Sequence, residues 1–433
     1  MISNVLIICF VLFNFLFSQF DWIEGGVPIR QGDHIEWQRT TDMSSSGNVI
    51  LAWSDTRTGD RDVYVQKVDA LGNVLWAEDG IAVVKNYGRQ EDPLLISDDQ
   101  GGAFVIWIDY RDEPDTKGDI YVQHILSDGS LHWPLGGQVI VDKEGAQRSP
   151  NMCSDGQGGV YIIWRDLSEG GAGDKVYATH ISADNEIINP GEGVPIITNN
   201  SAHASISLET AGNGQAAMAW IDDRNDGPDG TGTDIYGQRI SADHENNTIT
   251  TLWSTVEEGG VAICDAQGNQ SSTKITYAYN DITVVTWQDA RDGNFDIYMQ
   301  YLLGNGDPYF TTSPQGLALT TLASSQTKPR VKADESGAYI IWYSNADLYA
   351  QKVIMSQDSP VVWDSEGIAI CNANSEQTGA RLTTDNQGGV YIAWEDARSE
   401  DSSDVYLQHI NSNNQINENK KIIIQKIDSI LET

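Results

Sequence analysis

Ala103-Phe104-Val105-Ile106-Trp107-Ile108-Asp109-Tyr110-Arg111, followed after a polar turn by Gly118-Asp119-Ile120-Tyr121-Val122-Gln123, is the stretch on which the fold turns. Its first half is apolar at successive positions, so both faces of that strand must be covered; a sheet with one wet face would alternate. The same wording recurs along the chain. A Trp closes an apolar run at Trp53, Trp107, Trp164, Trp220, Trp287, Trp342 and Trp394, with spacings of 54, 57, 56, 67, 55 and 52. Each is followed by an Asp- and Gly-rich stretch and then by Tyr64, Tyr121, Tyr177, Tyr236, Tyr298, Tyr349 or Tyr406. Gln stands two residues further on at Gln66, Gln123, Gln238, Gln300, Gln351 and Gln408, and Thr179 replaces it in the third copy. Self-similarity at this period marks a repeat architecture.

Within the second copy, turn signals separate four strands, a to d: Asp92–Ser97, Ala103–Ile108, Asp119–Leu126 and Ser130–Val141. Asp-x-x-Gly-Gly at Asp98–Gly102, Asp155–Gly159 and Asp385–Gly389 is hairpin chemistry for the a–b turn. A second Trp, at Trp76, Trp133, Trp253 and Trp363, precedes a Gly and a short apolar run. Small four-stranded sheets covered on both faces and repeated seven times predict an all-β, seven-bladed β-propeller of four-stranded antiparallel blades. Residues 19–433 are expected to form this single domain. Trp22–Ile29 looks like an isolated strand d that could close the ring, and Gln415–Ile424 competes for the same place.

The chain opens with an apolar run in residues 1–18, ending at the small Ser18, which is the pattern of a secretory signal peptide. No later run is long enough for a membrane helix, so secretion to the cell surface, the medium or the periplasm is expected. The 26 basic and 62 acidic residues give a net charge of −36, which disfavours nucleic acid as a partner. Past the leader remain Cys153, Cys264 and Cys371, an odd number that excludes a complete disulfide framework; Cys264 and Cys371, equivalent in the repeat, are expected as buried thiols. A monomer is expected.

The most polar segment of each repeat is the b–c turn, Trp-x-Asp-x-Arg. Asp55 with Arg57, Asp109 with Arg111, Asp222 with Arg224, Asp289 with Arg291 and Asp396 with Arg398 carry it; the third and sixth copies break it. Period-two alternation puts Trp, Asp and Arg on one side of the strand. Two readings follow: a ladder of Arg–carboxylate bonds between blades, or a ligand-binding ring on the b–c face. Recurrence in five copies favours the first. The long fourth turn offers Asp222, Asp226, Asp229 and Asp234 as oxygen ligands for calcium, the one cofactor the sequence suggests, although the order of a dedicated calcium loop is missing. His124, His180 and His409 share one repeat position and are expected as strand residues.

The segments Ile106–Arg111 with Gly118–Tyr121, and Thr286–Arg291 with Asp296–Tyr298, resemble the WD40-like repeats of TolB-type propellers. That resemblance implies the architecture and no particular partner. The Ser-x-Asp-x-Gly-x-Thr-Trp turn of sialidases is only half matched by Ser97–Gly101, so that activity is not carried over. The leading expectation is a non-enzymatic binding or scaffolding propeller for a protein or glycan. The alternative is a secreted glycosidase or lyase, which would need a few unique acids on the binding face, such as Asp166, Glu169 or Asp174 of the aberrant third copy; nothing in the sequence marks these as catalytic.

Overall fold

The computed structural model describes residues 29–30, 36–43, 47–112, 117–167, 174–199, 201–225, 232–399, 402–413, 415 and 422–424. Among them there is no helix, and the strands form seven separate antiparallel sheets in chain order. Six sheets have four strands and one has five. The a strands are Glu36–Met43, Gln90–Ser97, Gln147–Ser154, His203–Gly212, Gln270–Tyr277, Gln326–Asp334 and Gln377–Thr384, and each of the first six packs against the next. They form the inner wall of the propeller, with strand d outermost.

In the second blade the strands are Gln90–Ser97, Ala103–Asp109, Asp119–Ile125 and Gln138–Val141. The first three match expectation within two residues. Strand d is shorter than expected because Ser130 to Gly137 form a c–d connection held by bridges such as Ile125 with Leu131. Trp76 and Trp253 use that connection to reach the next blade, their indole nitrogens donating to Ser127 O at 3.3 Å and Gly304 O at 2.9 Å.

The fourth blade departs from the four-strand expectation. Its strand c runs on to Asp243 and returns as an extra strand, Thr248–Thr251, before the usual outer strand Val261–Cys264 pairs with it. This hairpin, with the longer b–c turn, contributes to the 67-residue spacing between Trp220 and Trp287. The seventh blade takes its outer strand, Ile422–Ile424, from the C-terminal segment. Of the competing Trp22–Ile29 segment, all but Ile29 lies outside the described residues.

Every blade is built around the repeated Trp, whose ring stacks on the cross-strand Tyr at 5.8 to 6.4 Å between centroids. Trp107, Trp164, Trp220, Trp287 and Trp342 are fully buried, and each such ring removes roughly 150–250 Å² from water. The far edge of Trp107 lies on Gly137, where a Cβ would come within 2.5 Å of the ring and where φ is +74°. Only glycine meets both conditions.

The repeated Gln is a brace. Gln123 Oε1 accepts from the backbone nitrogens of His124 and Trp133, both at 3.0 Å, while its Nε2 donates to Trp133 O at 3.0 Å. In the third blade Thr179 Oγ1 donates to Ile188 O at 2.5 Å in its place. The three His residues are strand residues, as expected. His124, His180 and His409 place Nε2 at 2.9, 3.0 and 2.9 Å from Asp98, Asp155 and Asp385, the aspartates of the Asp-x-x-Gly-Gly turns.

All seven inner strands carry a β-bulge at the same place, between positions such as Glu91 and Leu94. In blades two to seven the extra residue has positive φ: Asp92, Ser149, Ser205, Ser272, Lys328 and Gly379, between 51° and 64°. A bulge re-aims the side chains beyond it. Here that changes what faces the channel.

Candidate functional site

The repeated Asp–Arg pairs do not join blades; each closes on itself. Asp109 Oδ1 accepts from Arg111 N and Nε, both at 2.9 Å, and Oδ2 accepts from Arg111 Nη2 at 2.5 Å and from Trp107 Nε1 at 2.8 Å. Asp55 with Arg57, Asp222 with Arg224 and Asp289 with Arg291 repeat this pattern. Asp396 and Arg398 keep its core. The guanidinium then lies over the Tyr of the same blade at 3.6 to 4.1 Å, as Arg224 over Tyr236 and Arg111 over Tyr121. In four blades Arg also donates to a carbonyl just ahead of its own outer strand, such as Gly136 O at 3.1 Å. The interblade ladder is therefore corrected to an intrablade clamp. An Arg two residues past the Asp, at the start of a tight turn, curls back onto that carboxylate sooner than it can reach a neighbour.

All five aspartates are fully buried. Burial alone would raise Asp55, Asp222, Asp289 and Asp396, yet hydrogen bonds from Arg and Trp in the first three, and from Arg398, Ser375 and Cys371 in Asp396, outweigh it and hold these carboxyls below the usual range. The two exceptions show what the clamp does. In blades three and six, where Trp-x-Asp-x-Arg is broken, Trp164 Nε1 and Trp342 Nε1 are buried without a hydrogen-bond partner among the described residues.

Contact between blades does reach two clamps, through cysteine. Arg291 Nη2 donates to Cys264 Sγ at 3.1 Å and Arg398 Nη2 to Cys371 Sγ at 3.0 Å, each thiol coming from the preceding blade. Burial pushes Cys264 up to about 12. Cys264 and Cys371 are free and buried, as expected, and so is Cys153.

Of the residues offered for calcium, Asp226 and Asp229 lie outside the described residues. Asp222 is engaged by Arg224 and Trp220, and Asp234 accepts from Asn225 Nδ2 at 2.7 Å. Burial raises Asp234 to about 6. In the third blade, Glu169 is outside the described residues. Asp174 is taken by Arg165 and by the backbone nitrogen of His203 at 3.1 Å. Burial works to raise Asp174, but His203 and Arg165 bring it well below the usual range. His203, fully buried where five other blades have Gln, was missed by sequence reasoning because it was not aligned with those glutamines.

With the repeated residues consumed by the fold, ligand chemistry falls to positions that differ between blades at the channel mouth. Between blades two and three a cleft of about 360 Å³ is lined by Asp92, Tyr110, Lys117, Gln147, Arg148 and Ser149, among others. Two of these, Asp92 and Ser149, are the bulge residues. Tyr110 follows strand b, Lys117 precedes strand c and Arg148 is the second residue of strand a, so the cleft sits on the b–c and d–a side. It combines an aromatic ring, two cations and hydrogen-bonding groups, and its volume suits a few sugar units.

The architecture has counterparts among solved structures. The polysaccharide lyase Uly1 superposes with a TM-score of 0.50 over 93% of this chain and 94% of that chain, at 10% identity. The β-propeller domain of the trilobed protease from Pyrococcus furiosus gives 0.45 over 86% and 95% at 9% identity. Penicillium chrysogenum α-L-arabinanase gives 0.43 over 89% and 98% at 13% identity. The chain has the β-propeller fold. No protein-family model matches it, nor does any curated protein sequence. The seven sheets of this propeller are its seven blades, as the Trp and Tyr repeats predict.

Proposed function

We propose that this protein is a secreted carbohydrate-active propeller that takes a polysaccharide across its channel mouth and cleaves it. The observation that carries the reading is the cleft at the mouth, walled by Tyr110, Lys117 and Arg148, which no other blade repeats. A Tyr ring offers a platform for a sugar ring, and cations beside it orient and polarise oxygen substituents. Uly1, whose fold this chain shares over nearly its whole length, is a polysaccharide lyase, and that class of activity is adopted here as the proposal. It displaces the non-enzymatic scaffold as the leading reading.

Binding without cleavage is the second reading. It is favoured by the engagement of the repeated carboxylates in clamps, which leaves them unsuited to acid–base work. The test is incubation of residues 19–433 with a panel of polysaccharides, following reducing ends and the ultraviolet absorbance of unsaturated uronates. Release of either product supports cleavage. Retention of a polysaccharide with no product selects the second reading, and indifference to every polysaccharide overturns both.

A further inference from the structure

In a chain with 62 acidic and 26 basic residues, one sector of the inner wall is basic. Lys274, Arg330 and Arg381 occupy the same position in the inner strands of blades five, six and seven, paired with Thr286, Ile341 and Ala393, the residues before the repeated Trp. In blades two, three and four that position holds the uncharged Leu94, Asn151 and Ser207. In each of these three strands the bulge lies immediately before the cation.

None of the three has a carboxylate within ion-pair distance among the described residues. Lys274 Nζ donates to Thr273 O at 2.9 Å, and Arg381 Nη1 to Ala380 O at 3.0 Å. Two acids of blades four and seven have other partners. Glu209 of blade four pairs across the channel with Lys332 of blade six at 3.4 Å, and Glu395 accepts from Thr378 Oγ1 at 3.3 Å. Burial, then the charges of Arg330 and Arg381, pushes Lys274 below the ordinary lysine range; burial and then Arg381 do the same to Arg330. Like charges gathered in a partly dry channel oppose folding, and the abundant carboxylates of the chain are not used to neutralise them. Tyr343 stands beside them, its Oη accepting from Ala380 N at 2.8 Å, and Lys328 Nζ lies 5.9 Å from its ring.

We propose that Lys274, Arg330 and Arg381 form an anion site for the carboxylate or sulfate groups of a polyanionic glycan, entering from the mouth described above. This rests on the reading of the protein as polysaccharide-active and adds the substrate class. The recurrence of a cation in three successive blades suits charges that recur along a polymer, and the uncharged Leu94, Asn151 and Ser207 at the same position of blades two to four leave room for its uncharged rings.

The test is calorimetric titration of the full mature chain, at one fixed ionic strength, with polygalacturonate, chondroitin sulfate, desulfated chondroitin and a neutral glucan. The variants are Lys274→Gln, Arg330→Gln, Arg381→Gln and the triple substitution. We expect the wild type to bind a polyanion and each single substitution to weaken binding about tenfold. Affinity for any neutral glycan should hold, and the thermal midpoint of each variant should stay level or rise. A role in the fold alone would lower that midpoint. Retention or loss on desulfation assigns the recognised group, and either supports the site. Wild-type affinity of the triple variant for the polyanion overturns the site. So does binding of the neutral glucan with refusal of every polyanion, which leaves the polysaccharide reading standing. Refusal of all four removes both.

Discussion

Trp342 measures, by its lack of a partner, what Asp does for the other blades. Ser344 stands where Asp would be, the turn closes at once through Asn345 and Ala346 at φ of 52° and 73°, and the buried indole nitrogen goes unsatisfied. Where Asp is followed two residues on by Arg, it serves Trp and Arg together. Replacement Asp289→Asn should therefore lower stability by about 3–5 kcal/mol, the cost of breaking a buried pair from one side, as read by denaturant unfolding; a loss below about 1 kcal/mol would contradict the clamp. Asp296 behaves oppositely. Burial, with help from Asp292, raises it to about 6. A carboxyl raised in the folded state binds its proton there between about pH 4 and 6, so its contribution to stability falls as pH rises through that window. The stability advantage of wild type over Asp296→Asn should accordingly shrink between pH 4 and pH 7 in thermal unfolding, and growth of that advantage would contradict the burial account. The identities of these residues were legible in the repeat. The direction in which Arg turns was not, because period-two alternation fixes the side of a strand but not whether a long side chain curls back or reaches across.

Strand b was the most legible element, since an apolar run ending in Trp must be covered on both faces, and its bounds in the second blade agree within one residue. Strand d was the least. Its few residues carry little pattern, and the connection ahead of it is apolar enough to extend the apparent strand. What fixes its place is Gly137 under the Trp107 ring. Gly137→Ala combines a left-handed φ with overlap against that ring and should cost about 2–4 kcal/mol, while full stability would show that strand d is positioned by something else. The bulges were invisible in the sequence for a related reason. Five of the six residues with positive φ are Asp, Ser or Lys rather than Gly, so no turn signal announces them, and they re-aim the inner strands on which the channel residues sit.

At the scale of the whole molecule, seven Trp and seven Tyr were enough to count the blades, and that count stands. The same regularity hid the site. What recurs in all or most blades here is the scaffold; Tyr110, Lys117 and Arg148 are single departures from the repeat, and the basic wall recurs in only three blades. The charge of −36 acts at this scale as well. Self-repulsion among so many carboxylates should be relieved as salt shortens the screening length from about 30 Å at 0.01 M to about 8 Å at 0.15 M. The thermal midpoint should rise over that range, and a fall would mean that attractive ion pairs dominate instead. If the repeated residues hold the fold and the non-repeated channel mouth works on polysaccharide, as proposed, then polysaccharide binding and product release measured for Arg148→Ala and Tyr110→Ala beside wild type, with thermal unfolding of each, should separate the two roles. Both variants should keep the wild-type midpoint within a few degrees and lose binding and turnover by about tenfold or more; full activity in both would sink this division of roles.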